Sequence, residues 1–138
     1  WRSILDINRI MIYADKEGNL HETPQRRFFS MGDMIVSGHR NGPLAPTPID
    51  GGVLLCSTNP VSFDYVVIHI MGFDVNKLPV LNRIPMIKKY KIPHNKLEEI
   101  QIYSNEPELD GKTASNMPVA PYGYFEPAEG WRVISMRK

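Results

Sequence analysis

Two acids stand in apolar company, and an acid in such a place has to be paired, hydrogen-bonded, metal-bound or neutral. Asp64 falls among Val61, Phe63, Tyr65, Val66, Val67, Ile68 and Ile70, a stretch that leaves no wide polar face on a helix. Asp33 interrupts the run from Phe28 to Val36, near the C-terminal end of a predicted strand, where open α/β sheets bind their ligands. Brought together, Asp33 and Asp64 could hold a hard cation such as magnesium or divide acid and base work between them. The plainer reading of Asp64 is one half of a structural salt bridge.

Gln25, Arg26 and Arg27 bring an amide and two guanidinium groups into one loop. The planar donors of arginine suit a carboxylate or a phosphate, so the loop is a candidate anion clamp. Solvated arginines, or arginines bridged to nearby acids, are the competing reading. Residues 38–43, Gly-His-Arg-Asn-Gly-Pro, lack the spacing of a phosphate loop and of a dinucleotide fingerprint. They offer a backbone that a ligand can approach closely, with Asn41 and Gly42 as candidate contacts, against the alternative of a plain surface turn.

Other chemistry finds little support. The histidines at 21, 39, 69 and 94 form no His-x-x-x-His pair, and no Gly-x-Ser-x-Gly elbow occurs. The single cysteine, Cys56, reads as a small hydrophobe at the end of an apolar strand; it can make no internal disulfide and no Cys-rich iron–sulfur or zinc site. No metal ligand set is assigned, and any other cofactor is left open. A chain without disulfides suggests a reducing compartment, the cytoplasm.

These residues need elements to position them. The 138-residue chain is 42% hydrophobic, enough for one domain to bury a core, and its net charge of +1 gives no field to gather nucleic acid or acidic lipid. No apolar run approaches the roughly 20 residues that span a bilayer. Ile4, Ile7, Met11 and Ala14 predict a first helix stopped by residues 15–19, with a strand as the alternative for Ile10–Tyr13. Phe28–Val36 predicts a strand or a strand-to-helix transition; the glycines and prolines from 38 to 48 predict an extended loop. Gly52–Ser57 reads as a strand buried on both faces, as in parallel sheets. Asn59 and Pro60 then cap a helix that Gly72 closes. Short helical pieces broken by Pro79 and Pro85 follow, then an alternating strand at 99–103.

The order of these pieces resembles a known family. Thr23-Pro24-Gln25-Arg26-Arg27-Phe28, Asp33, residues 38–44, Gly51-Gly52-Val53-Leu54-Leu55, Asn59–Asp64 and Met71–Asp74 are similar to the C-terminal half of the domain-of-unknown-function family numbered 362. The likeness covers about residues 1 to 80. It implies a bacterial or archaeal type of protein of unassigned activity, some members of which carry ferredoxin-like iron–sulfur modules. With one cysteine this chain departs from those members and holds no iron–sulfur cluster of its own. It also implies an N-terminal half, and a chain that enters a helix directly after Trp1 fits that expectation.

The expected architecture is therefore α/β: a mixed or mostly parallel sheet with flanking helices over residues 1–104, part of a larger domain, with an irregular Pro/Gly-rich extension over 105–138 packed on it. Two functions compete. One is an enzyme-like or ligand-binding domain for a small anionic molecule held by Gln25, Arg26, Arg27, Asn41 and Gly42 with Asp33 and Asp64. The other is a non-catalytic module that packs against the N-terminal half or a partner protein, and it requires exposed apolar patches. Neither reading involves nucleic acid or a membrane.

Overall fold

A computed structural model describes residues 1–134. Helix α1 spans Arg2–Tyr13 and buries Leu5, Ile12 and Tyr13. It stays helical through Ile10–Tyr13, then ends at Ala14, whose backbone is extended. Asp15 organises the reversal that follows. Its carboxylate accepts from the Glu17 and Asn19 amides at 3.0 and 2.8 Å and from His21 Nε2 at 2.8 Å. The His21 contact, supported by these amides, holds the Asp15 carboxyl down at about 2.

Strands β1 (Ser30–Asn41) and β2 (Ala45–Ser57) form one long antiparallel hairpin, a two-stranded sheet. The protein thus mixes helix and sheet, but the expected parallel sheet is not what forms. Residues 38–48 are not an extended loop either: Gly38 pairs with Pro48, His39 with Thr47 and Arg40 with Pro46, leaving the tip to residues 42–44. Proline breaks a central strand because it has no N–H to give to a ladder. In a two-stranded sheet every strand is an edge, and Pro46 and Pro48 share the parity that turns the backbone outward. The pairing itself was what sequence reasoning missed.

Gly51 and Gly52 have a separate task. Met34 pairs with Val53 and Val36 with Asp50, so Ile35 alone faces both glycines across a bulge. Gly52 adopts φ +66°, and a Cβ on Gly51 would collide with the Met34 carbonyl oxygen.

Asn59 caps helix α2 (Pro60–Ile70), its Oδ1 accepting from the Val61 and Ser62 amides at 3.0 and 3.1 Å. The helix lies across the inner face of the hairpin, with Phe63 directly beneath Gly32; a Cβ at Gly32 would come within 2.7 Å of Phe63 Cζ. Gly72, at φ +76°, closes the helix while the Phe73 amide bonds Ile68 O. Two apolar clusters flank α2. Val61 joins Leu5, Ile12, Leu81, Ile84 and Ile92 in the first. Ile70 joins Met34, Phe73, Leu109, Met117, Phe125 and Ile134 in the second. The irregular C-terminal third therefore supplies core side chains. It also braces the far end of the hairpin: the Arg40 amide bonds Glu126 O, the Arg40 guanidinium grips the Glu126 carboxylate at 3.1 and 3.2 Å, and Asn41 Oδ1 accepts from the Glu129 amide.

Candidate functional site

The residues singled out for chemistry do not converge. Arg26 lies under α1, donating to Met11 O at 2.8 Å and Asp15 O at 3.5 Å, where a cation satisfies carbonyls at a helix C-terminus. Gln25 is absorbed locally, its amide nitrogen bonding Thr23 O and its backbone N–H bonding Ile12 O. Arg27 is exposed and has no hydrogen-bond or ion-pair partner among the described residues. Asn41 and Gly42 stand at the opposite end of the hairpin, roughly 35 Å of extended chain from its base.

Asp33 and Asp64 are on different sides of the sheet. Gly32 faces α2, so Asp33, its neighbour, turns to the outer face, where its Oδ1 accepts from the Ile35 amide at 2.9 Å. Among the described residues no three His, Cys, Asp or Glu side chains come close enough to hold a metal ion. A shared two-acid centre has no geometric basis, because strand alternation sends the two carboxylates apart.

Asp64 is open to solvent on one side, yet protein crowding around its carboxyl pushes its pKa up. The open side solvates much of the charge, so we expect a modest effect on stability. A carboxyl raised in the folded protein binds more protons there than in the unfolded chain. Stability therefore falls as pH rises through the ordinary value of 3.8 toward the raised one. Asp64→Asn should match the parent's melting temperature at pH 3.5 and exceed it at pH 7. A variant that melts lower at pH 7 would show that the carboxylate makes a stabilising contact.

Two other features do stand out. One is the outer face of the hairpin, where Met31 pairs with Cys56, Asp33 with Leu54 and Val36 with Asp50. Met31, Val36 and Leu54 are 72%, 66% and 65% exposed, and Phe29 and Ile35 add to them. An antiparallel sheet with one face on a core usually shows polar side chains on the other. Helix α1 repeats the pattern, exposing Ile4, Ile7 and Met11 on the side away from Leu5 and Ile12. The second feature is a cleft of about 440 Å³ between β2 and residues 100–106, floored by Ser62, Phe63, Val66 and Ile70. Glu106 is the one charged residue among those lining it, and Tyr122, crowded by protein and by Glu106, has its hydroxyl pKa raised. A cleft with a carboxylate and no cation does not suit an anion.

Sequence reasoning passed over Ser62, Gln101 and Glu106. Nothing in their spacing marks them, since they meet only once α2 and the distant 100–106 segment pack on the hairpin.

Comparison with known protein families, with curated proteins and with solved structures returned no match. The likeness to family 362 thus rests on the order of motifs alone. Among the described residues no helix is long and apolar enough to cross a membrane.

Proposed function

We propose that the chain is a non-catalytic docking module whose hairpin packs its outer face against another polypeptide. The apolar row Met31, Val36 and Leu54, exposed on the face of a sheet whose other side is already filled by α2, carries this reading. Asp33 and Asp50 sit within the row as its acids. Two copies apposed through this face about a twofold axis would bring like charges together, whereas a partner with an apolar face and lysine or arginine residues would answer both features. The second apolar stripe on α1 extends the surface that such a partner could cover. The N-terminal half implied by the family resemblance is one polypeptide of that description. Dispersal of the candidate anion ligands favours this reading over a small-anion enzyme, for which Arg27 alone remains unspent.

The test is made on the chain by itself. Without its partner the exposed face should bind a hydrophobic dye and drive concentration-dependent association in sedimentation velocity. Replacing Met31 and Leu54 together by glutamate and lysine should abolish both effects and leave the melting temperature within a few degrees, as expected for exposed positions. A strictly monomeric parent chain that binds no dye would overturn the reading.

A further inference from the structure

The cleft beside β2 has backbone hydrogen-bonding capacity on both walls. The direction of the β2 wall follows from the ladder. In an antiparallel pair, alternate residues bond across the ladder and the residues between them turn N–H and C=O away. The Arg40 amide bonds Glu126 O rather than β2, and its partner Pro46 has no N–H, so the pair Arg40 and Pro46 is of the outward-turning kind. Past the glycine bulge the phase is exchanged: Met34 packs in the core while Val36 faces out, and the Met34 carbonyl oxygen is directed at Gly51 of β2, so the pairs Met34 with Val53, Gly32 with Leu55 and Ser30 with Ser57 are of the bonded kind. Leu54 and Cys56, between them, thus present their backbone groups along the free edge, and both line the cleft.

The opposite wall is complementary. Ile100 O accepts from the Ala114 amide, the Ile102 amide bonds Lys112 O, and Ile102 O accepts from the Gly111 amide. Gln101, bridged to Thr113 between these bonds, has its own N–H and C=O directed the other way, away from residues 111–114 and toward β2. No backbone hydrogen bond to Gln101 N or O occurs among the described residues. On the floor, Ser62 is 6% exposed and its Oγ is buried with no hydrogen-bond partner. A buried hydroxyl in that state is unfavourable unless something supplies a partner.

We propose that this cleft receives an extended peptide segment as an added strand between β2 and residues 100–103, with alternate side chains set on Phe63, Val66 and Ile70, a polar group meeting Ser62 Oγ, and a basic residue facing Glu106. Adding a strand to an exposed edge takes affinity from main-chain bonds and specificity from the pockets beneath alternate residues. A small organic ligand would leave the two rows of backbone groups unused, and an anion would meet the Glu106 carboxylate. This goes beyond the outer-face reading and stands or falls separately, since it concerns the edge of the sheet and not its face.

The test uses the whole chain and a phage-displayed library of random twelve-residue peptides. Enriched peptides should carry alternating apolar residues and at least one lysine or arginine, and should bind about tenfold more weakly to Glu106→Gln, which removes the one charge among the described residues lining the cleft. N-methylation along a selected peptide should weaken binding about tenfold at every second residue and little between, the signature of a strand bonded at alternate positions. Gln101→Pro removes a cleft-facing N–H without breaking any ladder bond and should weaken binding about tenfold. If that variant does not fold, the N-methyl series decides the question by itself. No enrichment, enrichment of peptides that bind Glu106→Gln as well as the parent, or binding indifferent to backbone methylation would each overturn the proposal.

Discussion

Gly51→Ala should destabilise the protein by about 3 kcal/mol, at the upper end of what single substitutions ordinarily cost. The new methyl would be driven into the Met34 carbonyl oxygen, a backbone atom inside the ladder that cannot swing aside as a side chain could. Relief requires β1 and β2 to part at the bulge or to slip register, and a slip by one residue exchanges the faces of every residue beyond it. Gly52→Ala is the control. Its φ of +66° makes a side chain strained, but nothing lies within 4 Å of the added atom, so a cost of about 1 kcal/mol is expected. Urea denaturation of the two variants checks this. Equal losses would mean that backbone strain and not the close approach to Met34 explains the paired glycines. If the bulge is lost, Ile35 and Val36 move as well, and the outer face should change its dye binding along with its stability.

The paired glycines also show what the sequence made legible. Asn59, Pro60 and Gly72 mark helix α2 because capping is local chemistry: an amide oxygen, a ring without N–H and a residue free to take positive φ each act within one turn. Helix α1 and its stop at Asp15 are legible for the same reason. The hairpin is not, because Pro46 and Pro48 are strand breakers in any sheet with neighbours on both sides and harmless in one without, and strand count is not written in a local window. Gly52–Ser57 reads as a strand buried on both faces because Leu54 and Cys56 are as apolar as Val53 and Leu55; only pairing with β1 shows that the first two face outward. The candidate site suffered most. Asp33 and Asp64 were each conspicuous, but which side of a sheet an acid takes depends on register, a long-range property. Arg26 resembles an anion ligand until the end of α1 claims its guanidinium.

Ile70→Ala should cost 2–5 kcal/mol, the range for removing a large aliphatic side chain from a packed core, with the upper part expected where the surroundings cannot collapse. Ile70 is 2% exposed and joins Met34 from the hairpin, Phe73 just past the end of α2, and Met117 and Phe125 from the irregular third, so the cavity would be walled by segments held in place by separate contacts. Its effect should not stop at that cluster. Val61, nine residues earlier on α2, belongs to the other cluster with Leu5, Ile12 and Leu81, and one capped helix carries both. Loosening the C-terminal end of α2 therefore removes the support under Val61, and the chain should melt in a single transition at a lower temperature. Hydrogen exchange at the Ile12 amide in α1 tests the coupling directly: it should accelerate in Ile70→Ala as much as amides near Phe73 do. Protection retained in α1 while the second cluster exchanges freely would mean two units that unfold separately. The outer face would then belong to both, since the hairpin packs through Met34 on one cluster while α1 carries its exposed stripe on the other. A partner covering both surfaces would couple the units on binding and raise both protections together.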